Sequence, residues 1–123
     1  MILKQLLLVF IGGGIGACLR FLLTLGITNP SVTFPWATFI TNLLGCLLIG
    51  ILSGCLIRIQ LFKSDLSLVL LTGFCGGFTT FSTFSNESVM LWKENQMGTF
   101  ILYNLGSVSL GILLVGFGYY LSK

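Results

Sequence analysis

The sequence predicts an all-α integral membrane protein with four transmembrane helices and no soluble domain. Mean hydropathy is +1.06, and only 7% of the 123 residues are charged, against about 25% in soluble domains. Four stretches of about 20 mostly apolar residues follow one another, each long enough to cross a bilayer. The short connectors between them hold most of the charges, prolines and turn residues.

The spans read in order as residues 6–25, 36–57, 66–86 and 98–121, in a single membrane domain covering residues 1–123. The first contains "GGGIG", with Gly12 and Gly16 four apart on one helical face, where a neighbouring backbone can come close. Gly45 and Gly50 in the second span, and Gly106, Gly111, Gly116 and Gly118 in the fourth, add further close-approach positions. The third span carries "GFCGGFTTFSTFSNE" (73–87), in which glycines and hydroxyls interrupt the hydrocarbon. The connectors are "GITNPSVTFP", "RIQLFKSD" and "LWKENQM". Lys4 before an apolar run resembles a signal peptide, and "IGAC" (15–18) loosely resembles a lipoprotein cleavage box. The run continues to Leu25 and three spans follow, so the segment is expected to be retained as a helix. Cys18, Cys46, Cys55 and Cys75 all fall within spans without paired metal spacing, and read as small buried residues.

Composition excludes several functions. There is no His and there are three acids, with no carboxylate pair and no nucleophile beside a base, so an enzyme is not expected. No nucleic-acid partner is expected either. Thirteen kilodaltons of membrane helix is little wall for a solute pathway, so the chain is expected to oligomerise.

Polar groups at membrane depth are the functional candidates. Arg20 is the only basic residue within a span; it reads either as a mouth charge attracting anions or as a side chain snorkelling to the interface. Asn42 lies six residues into the second span, as a pathway amide or as helix glue. Thr38 and Thr41 neighbour each other on the helix surface but can bond their own backbone. Gly76-Gly77 is a poor helix interior and predicts a break in the third span. Irregular backbone at such depth must be buried in protein or line a cavity, and broken membrane helices commonly form ion sites. The hydroxyls of Thr79, Thr80, Ser82 and Thr83 surround the break. Phe81 and Phe84, three apart, share a helical face; they are either core or a pair whose electropositive edges meet an anion. Tyr103 and Ser107, one turn apart, are a weaker polar series in the fourth span.

"GGGIGACLRF", "TFITNLLGCLLIG" and "GFCGGFTTFSTFSNE", in this order along the whole chain, resemble the fluoride channel family called Fluc or CrcB; "GGFTTFSTF" is the most specific string. The resemblance implies a passive fluoride channel in the bacterial cell membrane, made of two subunits in opposite orientations (an antiparallel, dual-topology dimer). It implies that the carbonyls of Gly76 and Thr79 from both subunits hold a structural sodium ion (Na+). It implies that Asn42, Phe81 and Phe84 line the fluoride path, with Ser82, Thr83, Tyr103 and Ser107 along it, and that Arg20 and Glu87 stand at a vestibule, Glu87 near the end of the third span. Small donors suit a strongly hydrated anion, because fixed cations would hold it too tightly to leave.

One feature departs from a chain that inserts both ways. With both termini on one side, that side carries Lys4, Arg58, Lys63 and Lys123, and the other Lys93 and Arg20. This imbalance favours cytoplasmic termini and leaves an inverted paralogue as an alternative to the homodimer. Two rival functions are a small multidrug exporter and a non-transporting subunit of a membrane complex. The exporter has an acid in its first span, where this chain has Arg20; the subunit does not account for a polar, broken third span.

Overall fold

The computed structural model describes all residues, 1–123. Helices α1 (Ile2–Ile27), α2 (Trp36–Arg58) and α6 (Met97–Ser122) are continuous, and the third span, Asp65–Lys93, is assembled from pieces. It starts with one turn, α3 (Asp65–Ser67), and continues as a π-helix, Leu68–Cys75. A further turn, α4 (Gly76–Phe78), precedes a non-helical stretch at residues 79–81, and helix α5 (Ser82–Lys93) resumes beyond it. All four spans are long and apolar enough to cross a membrane. Each reaches beyond the bounds read from hydropathy, because helical hydrogen bonding continues through the polar residues that flank the apolar core. Glu87 therefore lies within α5 rather than at the end of its span.

The helices pack as two close pairs. α1 lies on the π-helix and α4, and α2 runs along α6. Glycine makes both contacts possible: a methyl at Gly16 would overlap the Phe74 carbonyl, and one at Gly77 the Gly13 carbonyl. On the other side, Gly50 faces the Val115 carbonyl and Gly118 the Leu47 carbonyl. Without a hydrophobic driving force between helices in lipid, such backbone approach is a main source of association. Gly116, expected to do the same, has open space where a methyl would go. α5 joins the pairs, burying Phe84, Ser88 and Leu91 on one face, with Phe84 and Leu91 clustering with Tyr103 of α6.

Two tight turns close the helix ends. Gln60 (φ 61°) and Asn95 (φ 58°) adopt left-handed backbone, and the next N–H in each case reaches back to Leu56 or Leu91. At the N-terminal end, Lys4 Nζ pairs with Asp65 Oδ2 at 2.7 Å, holding the start of α1 beside the start of the third span. Of the four cysteines, Cys75 alone is buried; Cys18 is exposed on α1, and all are free.

Gly16→Ala should prevent recovery of a monodisperse protein, because the methyl meets backbone that cannot move aside. Gly116→Ala should express and elute as wild type by size-exclusion chromatography. Equal recovery of both would contradict the α1 contact.

Candidate functional site

The break lies later than the glycines suggest. Gly76 and Gly77 remain helical, and the chain leaves the helix at Thr79 (φ −91°, ψ 159°). Gly77 is needed for closeness to α1, not for bending. What opens the helix is Asn42 of α2. Its Oδ1 accepts from the Thr80 N–H at 2.8 Å, and its Nδ2 donates to the Thr80 carbonyl at 2.9 Å. One side-chain amide thus replaces both helical partners of one peptide position. The Thr79 N–H bonds to the Cys75 carbonyl, as does its hydroxyl. Beyond the break, the Thr80 hydroxyl accepts from the Thr83 N–H at 3.2 Å and caps the start of α5.

Two carbonyls are left over. Gly76 would take the Thr80 N–H in an unbroken helix, but that donor is committed to Asn42. The Thr79 carbonyl accepts no backbone N–H. Backbone oxygens stripped of donors in lipid are costly. A hard cation, which takes oxygen ligands, fits such a pair. A third carbonyl, that of Gly77, accepts from Arg20 Nε at 3.1 Å. Arg20 therefore does not simply snorkel: α1 continues to Ile27, and the guanidinium reaches back to the break.

These residues divide between two cavities. The first, about 440 Å³, is lined by Asn42, Gly76, Thr79, Phe81, Phe84 and Ser107, among others. Phe81 is 79% exposed although it flanks this cavity, whereas Phe84 is buried, with ring centroids 5.9 Å apart. Ser107 Oγ is buried without a partner, a free hydroxyl in the cavity wall. The second cavity, about 380 Å³, brings together Arg20, Thr38, Thr80, Thr83 and Glu87. Both vestibule residues expected from the sequence thus share one polar chamber. Tyr103 is fully buried beside the two; its ring lies 5.0 Å from that of Phe84, and its hydroxyl donates to Glu87 Oε1 at 3.1 Å. Ser82 is exposed and lines neither cavity, with its hydroxyl 3.3 Å from that of Thr80.

Comparison with known proteins bears on this arrangement. A family described as CrcB-like protein, Camphor Resistance (CrcB), matches residues 7–119. The chain belongs to the CrcB family. A protein of Phocaeicola vulgatus named fluoride-specific ion channel FluC is 51% identical over 122 residues, covering 98% of this chain and 100% of that protein. Proteins of the same name from Flavobacterium psychrophilum and Chlorobium phaeobacteroides are 43% and 44% identical, covering 98% and 96% of this chain. With four membrane-spanning helices and bacterial relatives, this CrcB chain is a multi-pass membrane protein of bacteria.

Sequence reasoning missed the pairing of Asn42 with Thr80 and the tether from Arg20 to Gly77. The signal for the first was there: a lone amide within the second span and a Thr-Thr pair within the third. Asn42→Leu should lower thermal stability by about 2 kcal/mol, since it strands a half-buried N–H and C=O together. Asn42→Asp, which keeps the acceptor, should lose less. Thermal unfolding in detergent checks the order, and equal stability of Leu and wild type would contradict the capping role.

Proposed function

We propose that this CrcB chain is a passive, fluoride-selective channel of the cell membrane that lets cytoplasmic fluoride escape, and that it works as an antiparallel dimer. The observation that carries this is the open cavity at the break, in a chain half identical to a protein named for that activity. Gly76 and Thr79, whose carbonyls have lost their helical donors, line it together with Ser107, whose hydroxyl is free, and the exposed Phe81. Lipid cannot satisfy these groups. A second copy, inverted, would bring the same set to the other side, and the Gly76 and Thr79 carbonyls of the two copies would hold a sodium ion whose charge offsets their dipoles. The chain is not an enzyme; no bond of the ion is made or broken.

Fluoride is taken from the chamber of Arg20 and Glu87 past Thr83 and Tyr103 to Phe84, Phe81, Asn42 and Ser107. Ser82, exposed on the first turn of α5, contributes from the partner-facing side. Asn42 Nδ2 spends one N–H on Thr80 and has a second to offer. Aromatic edges add partial positive charge without a full cation, so the ion binds weakly enough to leave. Arg20, engaged by the Gly77 carbonyl, supplies field at the entrance rather than a binding site. A negative cell interior drives the anion outwards by about 2.3 kcal/mol per 100 mV.

Liposomes bearing the purified chain should lose fluoride rapidly and chloride hardly at all; comparable chloride flux sinks the proposal. Phe81→Ile and Phe84→Ile preserve bulk, and as simple core changes they would cost under about 1.5 kcal/mol. As pathway changes they should abolish most flux while the dimer still purifies. Complete replacement of sodium by a large organic cation should slow efflux, and indifference to it rules out the structural ion. Side-specific cysteine labelling should find both orientations; a single orientation, with the purified chain silent, points to an inverted paralogue as the partner.

A further inference from the structure

α5 has an unusual problem of position. It follows residues 79–81, where helical hydrogen bonding to the first half of the span is interrupted. Its rotation and height are therefore not inherited from that half. They must be set by what α5 touches, and the side that touches α6 carries Phe84, Ser88 and Leu91.

Two polar rungs join α5 to α6, side by side. Glu87 Oε1 accepts from the Tyr103 hydroxyl at 3.1 Å, and Ser88 Oγ accepts from Asn104 Nδ2 at 3.0 Å. Apart from the exposed Lys4–Asp65 pair at the helix starts, the side-chain-to-side-chain hydrogen bonds between different spans are confined to these two rungs. The rungs differ in character. Glu87 borders the polar chamber, where water and ions compete for its oxygens. Ser88 is 6% exposed, and its hydroxyl also donates to the Phe84 carbonyl at 2.9 Å. Asn104 is pinned as well, its Nδ2 reaching the Phe100 carbonyl at 2.8 Å. Each keeps that bond within its own helix if the rung opens, but the second N–H and the Oδ1 of Asn104 lose Ser88, so a shift of α5 costs the amide half of its partners at a half-buried position.

We propose that Ser88 and Asn104 are positioning residues for the conduction path: their rung sets the register of α5 on α6. That register presents Phe84 to Tyr103, whose rings lie 5.0 Å apart, and lets Tyr103 reach Glu87. Neither residue touches the permeating ion. A lone Glu87–Tyr103 bond, open to the chamber, tolerates rotation of α5 about its axis; a second rung one residue along, made by the buried Ser88, does not. The inference rests on the path proposed above, through Phe84 and Tyr103.

The test uses the purified full-length chain, with the three tyrosines replaced by 3-fluorotyrosine for one arm. Ser88→Ala should slow fluoride efflux from liposomes about three- to tenfold, the range that interhelical membrane hydrogen bonds support. Asn104→Leu should do the same from the other side, with both variants eluting as wild type. Acting through Tyr103, Ser88→Ala should add little to Tyr103→Phe, so the double variant is about as slow as the slower single one. The fluorine resonance of Tyr103, assigned by its loss in Tyr103→Phe, should move in Ser88→Ala. Wild-type efflux and an unmoved resonance in Ser88→Ala overturn the proposal, as does a double variant whose loss is the product of the two. A wild-type chain that passes no fluoride sinks the channel proposal instead, and the resonance still decides whether the rung positions Tyr103.

Discussion

Everything at the centre of this molecule depends on two hydrogen bonds between the Asn42 amide and the peptide groups of Thr80. A polar side chain in a membrane helix needs a partner, and a membrane helix cannot open unless its freed backbone is satisfied. Each requirement meets the other here. The amide takes both groups of Thr80, the helix opens, and the carbonyls on the near side of the break lose their donors. From that follow the exposed Phe81, the independent placement of α5 and the cavity along the break.

Charge is handled sparingly around this opening. Arg20, the only cation away from the helix ends, is tied to the Gly77 carbonyl, and the acid that shares its chamber accepts from Tyr103. Neither lines the cavity along the break. That cavity is lined by an amide, a free serine hydroxyl and two aromatic rings, groups of partial charge; the proposed path relies on these because a small anion must be passed on rather than held. The glycines serve a different purpose: they bring α1 onto the π-helix and α2 onto α6 closely enough to give the opening rigid walls.

Much of this was legible in the chain itself. Four spans follow from hydropathy alone, and the polar third span stands out because hydroxyls in lipid demand an explanation. Arg20, Glu87, Asn42, Phe81, Phe84 and Ser107 are all found around the two cavities. Glycine misled in one respect, since Gly76-Gly77 predicted the point of breakage by propensity. Tertiary contact decided otherwise: Gly77 is used for approach to α1, and Asn42 opens the helix at Thr79–Thr80. Nor does periodicity reveal which amide meets which backbone across 38 residues. The Ser88–Asn104 rung escaped for the same reason, being a pairing between spans. Buried cysteine was over-read: in a small membrane protein many span residues face outward, and Cys18 is among them.

The central claim is that the third span is held open by Asn42 so that bare carbonyls of Gly76 and Thr79 face a second copy. The most direct measurement is an experimental density map of the purified protein in lipid and sodium, at a resolution that shows carbonyl oxygens. The account predicts Asn42 bonded to both groups of Thr80, and the Gly76 and Thr79 carbonyls of two inverted copies converging on one peak. A continuous third helix, with the Thr80 N–H on the Gly76 carbonyl, or an opening whose carbonyls face lipid, would contradict it.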